Sequence, residues 1–189
     1  MNLKSNILFF ILLMSCGLFA QNDKSDKEKL KIKQRTQGKV DFGFSGLGLS
    51  IETPASENIL LEFAAGLGAA YQVNEDFKYR FYFDDPAFFA TAHGKYYYIH
   101  TDQEKTNPLN SGNFFGIKVK YASPTLRNEK MWHTLLTGFH WGLQRRLGNH
   151  FLYQLDLGVG AAIDIDSKTT TKMTLFPDAN FRFSYVLPF

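Results

Sequence analysis

The chain has 189 residues, room for one domain and not comfortably for two. Its net charge of +3 is modest and gathers near the N-terminus, so nothing in the charge points to a nucleic-acid partner. Aromatic residues make up 16% of it, with 19 Phe and 9 Tyr, an excess that bears on the fold class below.

The first segment, 1–20, reads as a signal peptide. Lys4 supplies a basic start, Ile7 to Ala20 is an almost unbroken apolar run, and Ala20 is a small residue suited to cleavage. The run is shorter than the roughly 20 residues that a spanning helix needs, which disfavours the rival reading as a membrane anchor. Leu13-Met14-Ser15-Cys16-Gly17 loosely resembles a lipoprotein processing site, but the chain stays apolar from Gly17 to Ala20. Cleavage after Ala20 removes Cys16, and with it all thiol chemistry.

Residues 21–37 are polar and charged, with Lys24, Lys27, Lys29, Lys31, Lys33 and Arg35 against Asp23, Asp26 and Glu28. The expectation is a solvated periplasmic segment, with a basic arm for cell wall or anionic lipid as the functional alternative. Leu30 and Ile32 alternate with lysines and could add a short strand.

From residue 38 to 189 the apolar pattern has period two, the signature of strands with one apolar face. Ile59, Leu61, Phe63, Ala65, Leu67, Ala69, Tyr71 and Val73 alternate through fifteen residues, about 50 Å at strand rise and far longer than a usual soluble strand. Eight strands are predicted, near 38–52, 58–73, 76–84, 87–99, 113–123, 132–145, 150–163 and 175–189. Breaker residues mark turns at Thr53-Pro54, Asp84-Asp85-Pro86 and Leu147-Gly148-Asn149. The strand at 76–84 is the weakest, and the one at Leu30-Ile32 could replace it.

The less apolar face of these strands is rich in small residues: Gly66, Gly68, Gly116, Gly138, Gly142, Gly158 and Gly160. An eight-stranded closed barrel has an interior barely wide enough for side chains, so this face belongs inside. Glu62, Lys95, Lys118, Lys120, His140, Asp156 and Arg182 share it and carry both signs, so they are predicted to pair as a polar network plugging the lumen. The aromatic and aliphatic face then meets lipid. The fold class predicted is all-β, a closed antiparallel transmembrane β-barrel.

The C-terminal strand alternates Phe181, Phe183, Tyr185, Leu187 and Phe189 with Arg182, Ser184, Val186 and Pro188. In this it resembles the terminal strand of Gram-negative outer-membrane barrels, by which insertion machinery recognises them; Pro188 departs from the commonest form. Gly142-Leu143-Gln144-Arg145-Arg146-Leu147-Gly148 leading to Phe151, and Tyr96-Tyr97-Tyr98 followed by Asn110-Ser111-Gly112-Asn113, are similar to patterns in Bacteroidota-type barrels. The resemblance covers 38–189 and implies outer-membrane lipids and the insertion machinery as partners. With both ends in the periplasm, the turns near 73–76, 100–112 and 146–149 are expected there. The short segments near 53–58, 84–87, 124–131 and 164–174 are expected outside.

Chemistry is sparse, and no cofactor motif is present. The five histidines, His93, His100, His133, His140 and His150, lack the His-x-Ser arrangement of lipid A deacylases. His140 is expected to point inward and could meet Asp156 or Glu62. The pairs His93/His100 and His133/His140 are each seven apart, which places the two rings on opposite faces of a strand and precludes chelation from one strand. Asp84-Asp85 and Asp164/Asp166 read as solvated loop acids without a calcium-site spacing. Gly46-Leu47-Gly48 and Gly158-Val159-Gly160 read as packing glycines, with no helix following to make a phosphate loop. The favoured function is a non-enzymatic barrel with a structural, adhesive or binding role. A lipid-modifying enzyme and a soluble lipocalin-like ligand carrier are the alternatives.

Overall fold

A computed structural model of the chain describes residues 34–44, 46–73, 79–101, 109–125, 133–165 and 172–188. The signal peptide, Cys16, most of the 21–37 segment, Phe189 and parts of the longer connections lie outside the described residues.

Eight strands form a closed antiparallel barrel in simple up-and-down order. They are β1 (Gln37–Gly43), β2 (Gly46–Pro54), β3 (Ile59–Val73), β4 (Tyr79–His100), β5 (Gly112–Thr125), β6 (His133–Leu147), β7 (Phe151–Ile165) and β8 (Lys172–Val186). The ring closes where β1 meets β8, with Lys39 opposite Val186 and Gly43 opposite Arg182. β1 and β2 are short, so they flank only the lower halves of their neighbours: β2 pairs with β3 over Leu60–Leu67, and β1 with β8 over Arg182–Val186.

The strand count agrees with the sequence reading, but two boundaries behind it do not. The predicted single strand 38–52 is a hairpin. Its outward residues run Val40, Phe42 and Phe44 and then Leu47, Leu49 and Ile51, a shift from even to odd positions that one strand cannot make. Gly46 sits at the turn with φ +118°, where an L side chain is strained, and a Cβ there would lie 2.1 Å from the Leu67 carbonyl oxygen. Conversely, the predicted strands 76–84 and 87–99 are one strand, β4. Asp84-Asp85-Pro86 is not a turn but a bulge: Tyr82 pairs with Ala70 and Pro86 with Ala69, so the extra residues are looped out of the ladder. Proline is tolerated there because the ladder is already interrupted.

These shifts change which strand ends lie together. Pro54 and Ile59 share the rim holding His100, Gly112, Leu147, Phe151 and Val186, called here the lower rim. Val73 and Tyr79 share the opposite, upper rim. The expected sides of the 53–58 and 73–76 segments are thereby exchanged, and 84–87 belongs to the wall. The same irregularity turns Tyr71, expected on the outer face, into the lumen.

Residues 34–37 are tied to the barrel. Gln37 is a buried β1 residue opposite Glu52; Arg35 N–H donates to Asn110 Oδ1 at 3.1 Å, and Asn110 Nδ2 donates back to the Arg35 carbonyl at 2.8 Å.

Candidate functional site

The polarity of the barrel is inside out. Exposed large apolar residues cover its wall, among them Leu49, Phe63, Ile117, Phe139, Val159 and Leu175. Charged residues are inside: Lys39, Glu52, Glu62, Lys95 and Asp156 are each at most 1% exposed. Burying such charges is tolerable only when they are paired and hydrogen-bonded, and here they are.

Lys95, from the middle of the lower half of β4, is the hub. Its ammonium donates to Glu52 Oε1 and Glu62 Oε2, each at 2.8 Å, to Gln154 Oε1 at 2.9 Å and to Gln144 Oε1 at 3.0 Å. Glu62 also accepts from Lys39 at 2.6 Å and from Arg182 at 2.9 Å. Arg182 reaches Asp41 at 3.2 Å, and Asp41 accepts from Ser184 at 2.5 Å. Asp156 accepts from Gln154 at 2.9 and 3.0 Å and from Asn180 at 3.3 Å. Six strands contribute charges to one layer, which cross-braces the ring at the height where the short β1–β2 hairpin completes it.

Above this layer Lys118 pairs with Asp178 at 2.8 Å. His93 and His140 meet Nε2 to Nε2 at 2.8 Å, one ring donating and the other accepting. Gly116 makes room for both, since a Cβ there would lie 2.5 Å from each nitrogen. Lys120 donates to the Tyr71 hydroxyl at 2.8 Å and lies 4.6 Å from the ring centroids of both Tyr71 and Phe89. Between the layers a cavity of about 40 Å³ is lined by Asp41, Glu62, Asp156, His93, Lys118, Lys120 and Arg182, with Gly43 and Gly46 at the hairpin tip. A polar space of this size suits a few water molecules.

Both ends of the lumen carry apolar clusters. Tyr71, Ala122, Leu136, Ala162 and Phe176 fill the upper part. Leu60, Tyr97 and Phe114, and then Leu109, Leu152 and Val186, fill the lower. The connection before β5 tucks into the lower mouth: Asn110 Nδ2 donates to Glu52 at 3.2 Å, and Gln144 Nε2 donates to the Asn110 carbonyl at 2.6 Å. Inward glycines face the bulky rings, Gly142 opposite Phe114 and Gly160 opposite Phe176, so that small and large side chains interlock across the narrow bore.

All seven residues expected in the lumen, Glu62, Lys95, Lys118, Lys120, His140, Asp156 and Arg182, face it, but they form two layers rather than one network. His140 bonds His93, not Asp156 or Glu62. Asp164 is no loop acid: it is a buried β7 residue accepting from Thr134 at 2.6 Å, and Asp84-Asp85 lies within β4. Lys39, Asp41, Glu52, Gln144, Gln154 and Asp178 also line the lumen and were not named for it from sequence, and His93, weighed only as a metal ligand, joins them. The shift at Phe44–Gly46 is the signal that finds the first three, because one continuous strand would put Lys39 and Asp41 on the face opposite Glu52. Among the described residues, no three His, Cys, Asp or Glu side chains gather as ligands for a metal ion.

On the outside, Tyr and Trp collect near the lower rim. Trp141 Nε1 donates to the Tyr98 hydroxyl at 2.6 Å, Tyr98 stacks on Phe115 with ring centroids 5.2 Å apart, and Phe151 packs on Tyr185 at the same distance. Of the C-terminal pattern, Phe181, Phe183 and Tyr185 point outward on β8, and Leu187 N–H donates to the Gly38 carbonyl at 2.9 Å beyond its end.

No family model matches the sequence, and no curated protein matches it. Among solved structures the chain is similar to the solid-state NMR structure of outer membrane protein AlkL in DMPC lipid bilayers. The identity is 14% and the TM-score 0.42, over 89% of this chain and 98% of that one. At that level no residue-by-residue correspondence follows.

Proposed function

We propose that this protein is an outer-membrane β-barrel whose lumen is plugged, serving a structural, adhesive or binding role rather than conducting solutes. The observation that carries the reading is the polarity of the wall. Phe42, Leu47, Leu49, Phe63, Ile117 and Val159 stand outward at 40% exposure or more, while a paired ionic layer is buried inside. In water that arrangement leaves a large apolar surface exposed; in hydrocarbon it is the stable one, because a closed ring satisfies its backbone and presents only apolar side chains to lipid. Girdle residues Tyr96, Tyr98, Trp141, Tyr153 and Tyr185 fit the water–lipid boundary at the lower rim.

The plug follows from the cross-bracing. Glu62 binds cations from β1, β4 and β8 at once, so an aqueous path along the axis requires several buried ion pairs to part together. The same filling leaves little space for the apolar ligand of a lipocalin-like carrier. Fractionation of expressing cells, with gels of boiled and unboiled outer membrane, tests the placement. A heat-shifted band there supports it, and a soluble, heat-insensitive band overturns it. Planar-bilayer recording tests the plug: conductance near zero is expected, and a stable large conductance contradicts it.

A further inference from the structure

We infer that the outer wall at the lower rim holds a phosphate-bearing membrane lipid, with Arg145 as the anchor and Tyr98, Asn113, Trp141 and Tyr153 around it. Arg145 is the outward residue next to last on β6, half-buried, and in register with Tyr153 of β7. It donates to its neighbour's carbonyl, Gln144 O, at 3.0 Å and to Asn113 Oδ1. A guanidinium has five N–H groups, so part of its fork is left for an external acceptor.

The decisive feature is that two acceptors in this patch, Asn113 Oδ1 and the Tyr98 oxygen, are already engaged. Asn113 Oδ1 accepts a hydrogen bond from the Arg145 guanidinium, which leaves the Asn113 amide N–H groups to donate. The Tyr98 oxygen takes the Trp141 indole N–H, which leaves its own O–H to donate. The patch therefore offers a cation and several donors, and the outward residues of β5, β6 and β7 include no carboxylate to answer them. Its complement is an oxyanion, and a phosphate diester matches the planar fork of an arginine. The aromatic residues beside it supply the apolar contact that acyl chains need below the headgroup. A free anion would use the charge but not those rings, so the occupant is a glycerophospholipid.

This inference rests on the membrane reading above, and its test separates the two. The barrel is refolded in dodecyl maltoside, which contains no phosphorus, and titrated with phosphatidylglycerol while bound lipid is counted by native mass spectrometry. Dioleoylglycerol and millimolar inorganic phosphate serve as comparators, and each sample is run boiled and unboiled. Expected is phosphatidylglycerol binding that exceeds diacylglycerol, survives inorganic phosphate, and weakens about tenfold in Arg145→Gln, the loss of one charge-assisted contact. Asn113→Ala should weaken it less, and provides a second variant if Arg145→Gln does not fold. Equal binding by wild type and folded Arg145→Gln overturns the inference, as does equal binding of diacylglycerol. Displacement by inorganic phosphate also overturns it and reassigns the patch to free anions. A wild-type band that does not shift on boiling instead removes the barrel reading itself.

Discussion

Replacing Lys95 by Met keeps most of the aliphatic stem and removes the charge at the centre of the lower lumen. Two carboxylates and two amide oxygens, all 2.8–3.0 Å from the ammonium, lose one donor together, although Glu62 keeps Lys39 and Arg182 and Gln154 keeps Arg182. The layer would be left with Lys39 and Arg182 against Asp41, Glu52, Glu62 and Asp156. Breaking a buried pair from one side costs about 3–5 kcal/mol. An independent ceiling comes from letting one glutamate take up a proton: with an ordinary carboxyl pKa of about 4.3, this costs about 3.7 kcal/mol at pH 7 and about 1 kcal/mol at pH 5. The two figures agree, so Lys95→Met should destabilise by about 3–4 kcal/mol at pH 7. The sign follows: the escape is proton uptake, so the difference from wild type shrinks as pH falls. Urea unfolding of both proteins in phosphatidylcholine vesicles, followed by tryptophan fluorescence at pH 7 and pH 5, measures it. A penalty under about 1 kcal/mol at pH 7, or one equal at both pH values, refutes the reasoning. Adding Glu62→Gln to Lys95→Met should recover part of the loss, because the two share one network.

Gly116→Ala inserts a methyl between His93 and His140 and should cost about 1–3 kcal/mol in the same urea assay; a neutral result would mean that the imidazole pair is not held as described. Gly46→Ala meets both a left-handed backbone and the Leu67 carbonyl, so it should impair refolding of the β1–β2 hairpin, seen as a lost heat-shifted band. Val159→Arg places a charge in the middle of β7's outer face and should cost about 2–4 kcal/mol in vesicles; tolerance of it would argue against lipid contact.

Strand existence and the direction of each face were legible because period two is written plainly in β3, β5, β6 and β7. What escaped was the phase. A hairpin hidden in 38–52 and a bulge at Asp84-Asp85-Pro86 each move the apolar residues between odd and even positions; Ser45-Gly46 marks the first, but the glycines there read as strand packing. Proline and two aspartates look the same in a bulge as in a turn; what distinguishes them is the partner strand, which continues unbroken through Ala69 and Ala70. Glu62, Lys118, Lys120, His140 and Asp156, all on well-phased strands, were found for the same reason that Lys39, Asp41 and Glu52 were missed. The His93–His140 contact could not be read from spacing, because it joins strands 47 positions apart in sequence and depends on the absent side chain of Gly116.

The central claim is that the apolar wall faces hydrocarbon while the charges lie within. Spin-labelling Val159→Cys, in a chain carrying Cys16→Ser, and comparing relaxation by oxygen with relaxation by a water-soluble nickel chelate in vesicles tests it directly. Strong oxygen relaxation with the chelate excluded is the predicted result; ready access of the chelate and little effect of oxygen would place that face in water and contradict the account.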